Sequence, residues 1–386
     1  MAGALDGIRI VEFASYVSGP YAGMMLADLG GEVIKVEEPG RGDPFRGWGR
    51  VEYSPTFGSV NRNKKSIALD LKSDGGRASA RALAATADVV IENFRSGAME
   101  RLGLGYDDLK ADNPALIYCA ITGFGNTGPY ARRPGYDTVG QATSGLLSLL
   151  TDLEDPSPMG ISLSDHLSGM VAAQGILAAL VARGRTGEGQ RIDTSLLEAT
   201  LSFCGENAAN YFESGKTPNR AARTHRAQVY AFVAGDGRPF VVHLSSPPKF
   251  WEGLVRVVER SGWLSDPQFA ARDARVRNYD ALRAALAEIF RADSRDAWIG
   301  KLLAEDVPAA PLNNFDDVFN DPQVRHLGMR VDVPHPTLGT VGLVRNGLRM
   351  SGTPPQIRTG PPELGEHTDE LLREIEARSK VKKAGA

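Results

Sequence analysis

Short apolar runs alternate with helical segments through the first part of the chain. Helices are predicted at Pro20–Leu29 and at about residues 75–86. Around them the strand-like runs are Ile8–Phe13, Glu32–Glu37, Ser66–Leu71, Asp88–Ile91 and Ala115–Thr122. Strands that alternate with helices favour a parallel sheet that helices cover on both faces. We therefore expect an α/β fold with a Rossmann-like layer in the first half.

A long helix is predicted near the middle of the chain. Its repeating positions fall at three- and four-residue steps, the spacing of one helical face, and are Met170, Val171, Gln174, Leu177, Ala178 and Val181. Ser164 or Asp165 is expected to cap the first turn, and the helix is expected to end at Gly184. Gly169 and Gly175 leave little side-chain bulk, so another backbone or a ligand can approach closely. Helix capping alone is the simplest explanation of Asp165.

The composition changes after about residue 214. Residues 215–228 are polar and basic, as expected of a linker. Two strand-like runs then flank Asp236–Gly237, which is a strong hairpin signal. Helical segments follow the second run. This pattern predicts a small α+β domain at residues 229–310.

Composition and charge exclude several classes of function. The 386 residues carry 44 Lys and Arg against 47 Asp and Glu, a net charge of −3, so no basic field would recruit nucleic acid. Cys119 and Cys204 lie far apart without metal-type spacing, as in proteins of a reducing cytoplasm. The N-terminus lacks a basic segment followed by a long apolar run, and we expect neither secretion nor a membrane span.

A glycine-rich motif, GFGNTG at Gly123–Gly128, directly follows a predicted strand. Its G-x-G-x-x-G spacing is compatible with dinucleotide binding if the glycines open a helix. Pro129 and Pro134 follow instead, and no acidic residue is placed to hold a ribose. The sequence therefore favours a loop without a dinucleotide.

Several blocks of the chain resemble the family III CoA-transferases, which also include the 2-methylacyl-CoA racemases. One block combines Asp165 with the run from Gly175 to Gln190, which reads GILAALVARGRTGEGQ. The other blocks occur in family order and are residues 5–40, Asn61–Lys72, Glu92–Gly103, Gly123–Gly145 and Pro361–Thr368. Together they span most of the chain apart from its middle.

The resemblance implies a domain arrangement and an assembly. The N- and C-terminal parts would form one large domain, and the middle would form the small one. The expected boundaries are 1–214 for the first part of the large domain, 215–228 for a linker, 229–310 for the small domain, 311–340 for a second linker, and 341–386 for the part that returns to the large domain. Two chains would interlock as rings, and each active site would draw on both subunits.

The resemblance also implies transfer of CoA between two carboxylic acids, with Asp165 as the nucleophile. A carboxylate with a pKa near 4 is ionised at pH 7 without a neighbouring base. Its attack on an acyl-CoA gives a mixed anhydride and CoA thiolate, and the thiolate then converts the anhydride into an aspartyl-CoA thioester. The acceptor acid reverses these steps. CoA thioester is therefore a substrate, and no permanently bound cofactor or metal is expected.

Positions that match the family's CoA contacts are candidate binding residues. They lie in the first strand-to-helix loop, in the segment expected beside adenine, and in the loop expected beside the pantetheine and phosphates. They are Val17, Ser18, Leu69, Asp70, Leu71, Lys72, Asn93, Phe94, Arg95 and Arg101. Arg132 and Arg133 are weaker candidates, and His166 is expected to have only a surface or capping role.

Two alternatives remain open. Racemization requires an acid and a base on opposite faces of the substrate, but Tyr136 and Pro247 stand at the positions where the racemase branch has its histidine and glutamate. A non-catalytic CoA-binding protein is the second alternative.

The glycine-rich lid of oxalate-specific members is not evident near residues 244–248. Arg41, Arg46 and Arg50 near the first loop favour a substrate with a second carboxylate, such as succinyl-CoA.

Overall fold

Six parallel strands form one sheet within residues 3–49, 54–335 and 338–384, the part of the chain that this computed structural model describes. The strands are β1 (Arg9–Phe13), β2 (Glu32–Glu37), β3 (Lys64–Ala68), β4 (Val89–Glu92), β5 (Ile117–Thr122) and β6 (Arg191–Ser195). Their order is β3-β2-β1-β4-β5-β6, the order of the doubly wound nucleotide-binding sheets. The predicted α/β class is confirmed.

The helices that accompany this sheet lie on both of its faces and at its edges. They are α1 (Ser18–Asp28), α2 (Pro55–Asn61), α3 (Asp74–Ala84), α4 (Ala98–Arg101), α5 (Tyr106–Asp112), α6 (Asp137–Thr143), α7 (Leu163–Thr186), α8 (Leu196–Phe203) and α9 (Gly205–Ser214). Strand β6 was not expected from the sequence. Its sequence RIDTS is polar, and only its last two residues are buried, so it lacks the apolar run of a central strand.

The chain divides into two compact units. One comprises Met1–Leu147, Ser157–Phe212 and Gly328–Ala386, and the other comprises Ser148–Pro156 and Glu213–Leu327. The first unit also contains the hairpin β10 (Arg330–His335) and β11 (Gly339–Val344) and the last helix, α17 (Thr368–Ala384). The exact domain boundaries drawn from the sequence stay a prediction.

The second unit has a three-stranded antiparallel sheet of β7 (Val229–Val233), β8 (Pro239–His243) and β9 (Ala309–Pro311). Asp236 and Gly237 lie in the turn between β7 and β8, as predicted. Its helices are α10 (Ala222–Ala227), α11 (Pro248–Val257), α12 (Arg272–Arg277), α13 (Tyr279–Phe290), α14 (Arg295–Ala304), α15 (Phe315–Asn320) and α16 (Pro322–His326). Residues 311–340 were expected to be a linker, and they contain the short helices α15 and α16 and the strand β10.

Helix α7 begins and ends elsewhere than predicted. Its N-cap residue is Ser162, without a capping hydrogen bond from its side chain, so the expectation that Ser164 or Asp165 caps the helix is wrong. The helix also continues through Gly184 and stops at Gly187, which has a φ of 76°. A left-handed glycine is a common helix stop because it lacks the steric penalty of a Cβ atom.

The repeating positions from which α7 was predicted lie largely on the exposed side of the helix. Met170 is 48% exposed, Val171 37% and Val181 64%. The buried side consists of small residues and one isoleucine, which are Ser164, Ser168, Gly169, Ala172, Ala173, Ile176 and Ala179. A Cβ atom on Gly169 would lie 2.6 Å from the carbonyl oxygen of Ser18. Small residues thus bring α7 close to the first turn of α1.

A cluster of fully buried charges lies between β1, β2 and β3. The ammonium of Lys35 is 3.0 Å from Glu12 and 2.9 Å from Asp43, and it donates a hydrogen bond of 2.6 Å to the carbonyl of Ala14. Lys64 lies 2.8 Å from the other oxygen of Glu12. Burial disfavours the ammonium of Lys35, but Asp43, Glu12 and Glu37 together raise its pKa.

Replacing Lys35 by methionine tests whether this cluster stabilises the first unit. The variant leaves Asp43 without its cation and Glu12 with Lys64 alone, and we expect a loss of about 3–5 kcal/mol in the free energy of unfolding. Urea unfolding, with hydrogen exchange of β1 and β2 peptides, measures the loss. Asp112→Ala is the control, because its pair with Arg81 is 39% and 42% exposed; a change of at most about 1 kcal/mol is expected there. Equal effects of the two substitutions would contradict this role.

Candidate active site

A cavity of about 310 Å³ lies at the carboxyl ends of β1, β4 and β5. The strand order reverses between β1 and β4, and open parallel sheets bind ligands at such a switch point. The loops after these strands and the first turn of α7 line the cavity. Among the lining residues are Ser15, Tyr16, Ser18, Asn93, Phe94, Arg95, Thr122, Gly123, Arg133, Tyr136 and Asp165.

Asn93 joins two of the loops that form the cavity. Its Oδ1 accepts a hydrogen bond of 3.0 Å from the backbone N–H of Ser15. Its Nδ2 donates to the carbonyl of Ser15 at 2.8 Å and to the hydroxyl of Ser18 at 3.1 Å. The amide side chain therefore fixes the position of the β1–α1 loop relative to the end of β4.

Asp165 lies in the first turn of α7 and is held from α6. Its backbone N–H donates to Oδ1 of Asp137 at 3.2 Å. The amide of Gln141 donates to Oδ2 of Asp137 at 2.6 Å and to the carbonyl of Ile161 at 3.0 Å. Asp137 thus occupies a fixed position beside Asp165, and no pattern in the sequence predicted this contact.

The carboxyl of Asp165 differs from an ordinary aspartate in its protonation. Burial first, and then the charge of Asp137, raise its pKa to about 7. The expectation that Asp165 has a normal pKa and is fully ionised at pH 7 is therefore wrong. The first turn of a helix favours the charged form, but here burial outweighs that effect.

Two tyrosines meet at the wall of the cavity. The rings of Tyr16 and Tyr136 lie edge to face with their centroids 5.8 Å apart. Burial, followed by the proximity of Tyr136 and Asp43, raises the pKa of Tyr16. The backbone N–H of Tyr16 donates to Asp43 at 3.2 Å, and its φ of 66° is unusual for a residue other than glycine. Asp43 therefore connects this wall to the buried ammonium of Lys35.

The structure brings most of the predicted CoA-binding residues to the same edge of the sheet. Ser18, Asn93, Phe94 and Arg95 line the cavity of Asp165. A second cavity, of about 360 Å³, contains the predicted adenine-side residues Leu69, Asp70, Leu71 and Lys72. The two cavities share Ser15, Pro44 and Phe94 in their walls. They are therefore adjacent.

The other two candidates line neither cavity. Val17 is buried and packs with Phe45 and Phe57. Arg101 is exposed at the end of α4. Lys72 is available to an anion only if it leaves Glu38, which lies 2.8 Å from its ammonium. Contacts between these residues and CoA stay a prediction.

His166 does not line the cavity of Asp165. Its Nδ1 lies 2.6 Å from the carbonyl of Ser162, and its ring packs edge to face on Tyr21. Within the described residues, no group of three or more His, Cys, Asp or Glu side chains is arranged to hold a metal ion. The absence of a metal or bound cofactor stays an expectation.

The glycine-rich motif forms a closed loop. Gly123 and Gly135 pack against each other so closely that a Cβ atom on Gly123 would lie 3.0 Å from the Cα atom of Gly135. Residues 123–136 contain no helix, as expected of a segment that does not bind a dinucleotide. The N–H of Gly125 donates to the hydroxyl of Thr122 at 2.9 Å. The loop therefore packs on itself at the mouth of the cavity.

Comparisons with known proteins agree with this geometry. A profile of the family described as CoA-transferase family III matches residues 5–368. Human succinyl-CoA:glutarate CoA-transferase is 35% identical over 377 residues, which cover 96% of this chain and 86% of that protein. Acetyl-CoA:oxalate CoA-transferase of Acetobacter aceti is 37% identical over 383 residues, which cover 97% and 96%. The crystal structure of a CAIB/BAIF family protein from Brucella suis superposes with a TM-score of 0.86 at 37% identity and covers 97% of this chain and 100% of that one.

The contact between Asp137 and Asp165 predicts a measurable change in protonation. Asp137→Asn removes a neighbouring negative charge while it retains an oxygen that can accept the N–H of Asp165. We expect the pKa of Asp165 to fall from about 7 toward its ordinary range. A diazo compound esterifies protonated carboxyls, so the pH dependence of Asp165 esterification, mapped by mass spectrometry, reports this pKa. Asp107→Asn, on the exposed surface, is the control. An unchanged pH dependence in the Asp137 variant would contradict the electrostatic role.

Proposed function

The chain belongs to CoA-transferase family III and is an enzyme of that class, and we propose that it moves CoA between two carboxylic acids through covalent intermediates on Asp165. The observation that carries this proposal is the position of Asp165. Asp165 lies at the switch point of the sheet, in the wall of the first cavity. This cavity shares lining residues with the second cavity, which contains the predicted adenine-side residues.

The proposed reaction begins when the ionised carboxylate of Asp165 attacks the thioester carbonyl of the donor. A mixed anhydride forms, the C–S bond breaks, and CoA leaves as the thiolate. The thiolate then attacks the aspartyl carbonyl and releases the donor acid, which gives an aspartyl-CoA thioester. The acceptor carboxylate attacks that thioester, the C–S bond breaks, and a second anhydride forms as CoA leaves again as the thiolate. In the last step the thiolate attacks the acceptor's acyl carbonyl and restores the carboxylate of Asp165.

The raised pKa of Asp165 suits this sequence of steps. A catalytic group whose pKa lies near the working pH combines a useful ionised fraction with a basic, reactive oxygen. The anhydrides are sensitive to water, so the site must exclude water while they exist. Backbone N–H groups of the closed 123–135 loop are candidates to stabilise the oxyanions.

We propose that at least one of the two acids is a dicarboxylic acid. The human relative is named for succinyl-CoA and glutarate, and the Acetobacter aceti relative for oxalate. The first-loop arginines give less support than the sequence suggested. Arg46 lies 2.8 Å from the buried Glu37 and stacks on Phe57, while Arg50 falls outside the described residues. Arg41 is exposed and lines neither cavity, so we look to a different cation for the second carboxylate.

An interlocked homodimer with a Rossmann-like large domain is part of the proposal. The exposed apolar side of α7 supports it, because Met170, Val171 and Val181 would be covered by a second chain. By length and composition α7 could also cross a membrane, but one such helix is weak evidence for a span. We propose a cytoplasmic enzyme that binds neither membranes nor nucleic acid.

Asp165→Asn tests the proposed nucleophile. The amide cannot form the anhydride, so CoA transfer should fall by several orders of magnitude. Because the pKa of Asp165 is about 7 in the folded protein and near 4 in an unfolded chain, its ionisation lowers stability progressively between about pH 4 and pH 7. The variant should therefore unfold at higher urea concentration than the wild type at pH 8, and at a similar concentration at pH 4. Ser162→Ala, at the N-cap, should retain transfer. An active Asp165→Asn variant would refute the covalent role.

The racemase alternative predicts exchange of the α-hydrogen. We expect that a 2-methylacyl-CoA incubated with the enzyme in heavy water gains no deuterium at the α-carbon, because Tyr136 replaces the histidine of that branch. Mass spectrometry of the recovered thioester measures the exchange, and added acceptor acids in a parallel sample verify that the enzyme transfers CoA. Deuterium incorporation that depends on the enzyme would favour racemization.

A further inference from the structure

Arg133 is an exposed residue in the wall of the cavity that contains Asp165. The residue lines this cavity together with Tyr136 and Gly135. Its guanidinium stacks on the ring of Tyr130, with the central carbon 3.6 Å from the ring centroid. Tyr130 in turn packs edge to face on Phe124, with the ring centroids 5.7 Å apart. Two aromatic rings therefore set the position of the cation.

The backbone of the 123–135 loop restricts Arg133 further. The N–H of Arg133 donates to the carbonyl of Tyr130 at 2.9 Å, which closes a turn. The contact between Gly123 and Gly135 closes the base of the same loop. Stacking and loop closure leave less conformational entropy to lose when the guanidinium binds a ligand.

Arg133 has no acidic partner among the residues that the structure describes. Its guanidinium stacks on the ring of Tyr130, and its backbone N–H donates to the carbonyl of the same residue. Asp137, which follows the same loop, already accepts hydrogen bonds from Asp165 and Gln141. A planar guanidinium matches the two oxygens of a carboxylate, so an anionic ligand is its natural partner in the cavity.

We propose that Arg133 binds the distal carboxylate of a dicarboxylic substrate while the proximal carboxyl group reacts at Asp165. The inference rests on the proposed CoA transfer and specifies its substrate class. Arg95, the other arginine in the cavity wall, directly follows Phe94, which lines both cavities. We assign Arg95 to the CoA portion of the thioester substrate. Monocarboxylic acids leave Arg133 without an anion and are poor substrates for that reason.

The discriminating experiment compares glutarate with pentanoate, which has the same carbon chain and one carboxylate fewer. Arg133→Met should lower the ratio of kcat/KM for glutarate to that for pentanoate about 10- to 100-fold, the range for a hydrogen-bonded charged partner. The loss should come from a higher KM for glutarate, with pentanoate unchanged. Arg132→Met, an exposed neighbour outside the cavity wall, is the matched control and should retain the wild-type ratio.

An equal loss for both acids in Arg133→Met would overturn the proposal, because it indicates a structural role or a contact with CoA. An unchanged ratio would overturn it as well. Arg133→Lys should recover part of the preference for glutarate, since a cation remains without the paired donors.

Chemical protection tests the same site without relying on turnover. Phenylglyoxal modifies accessible arginines, and peptide mapping can follow Arg133 and Arg132 separately. Glutarate should protect Arg133, whereas pentanoate should not, and Arg132 should react equally in all samples. Protection of Arg133 by the adenosine bisphosphate portion of CoA, and not by glutarate, would assign it to CoA and refute the proposal. If the wild type transfers CoA to neither acid, the proposed function fails, while the protection pattern still decides what Arg133 binds.

Discussion

The arrangement of the site depends on the contacts that the fully buried ammonium of Lys35 makes with the residues around it. It contacts Glu12 on β1, the carbonyl of Ala14 just after β1, and Asp43 in the loop after β2. Asp43 then accepts the backbone N–H of Tyr16, whose ring packs on Tyr136. One desolvated cation thus supports the wall of the cavity that Tyr16 and Tyr136 form, and removing it would leave several buried acceptors unsatisfied.

The same folding pattern creates an environment that opposes ionisation of Asp165. Small residues on α7 allow close packing against α1, and the half-buried Asp165 in the first turn of α7 is held beside Asp137. The resulting pKa of about 7 costs stability at neutral and alkaline pH. In the proposed mechanism, the same raised pKa makes Asp165 a more basic nucleophile. The loop that follows β5 contributes Arg133 to the wall of the same cavity, and we propose that this cation binds the second carboxylate of the substrate.

Much of the fold could be predicted from the sequence because buried parallel strands give apolar runs and helices give a regular repeat. Strand β6 could not, since its polar sequence has no such run. The repeat in α7 predicted a helix correctly but not its ends, and it marked largely the exposed side, because the buried side uses glycine and alanine. Hydropathy does not detect close packing of small residues.

In the candidate site, too, some residues could be predicted from the sequence and some contacts could not. Asp165, Ser18, Asn93, Phe94 and Arg95 were expected from the resemblance, and the structure places them around one cavity. The role of Asp137 could not be predicted, because it depends on a contact between two helices whose separation in sequence carries no local signal. The pairing of Arg46 with Glu37 is equally non-local, and it removes a cation that the sequence suggested for substrate binding.

Transfer of oxygen from the acceptor acid to Asp165 tests the central claim most directly. The acceptor is supplied with oxygen-18 in its carboxylate, and the peptide that contains Asp165 is analysed by mass spectrometry after turnover. Because the acceptor attacks the aspartyl thioester and the second anhydride is cleaved at the acceptor carbonyl, the account predicts one oxygen-18 atom in the carboxyl of Asp165 after a single turnover, and up to two after many turnovers. A peptide that remains unlabelled while CoA transfer proceeds would show that the two acids exchange CoA without a covalent intermediate on this residue.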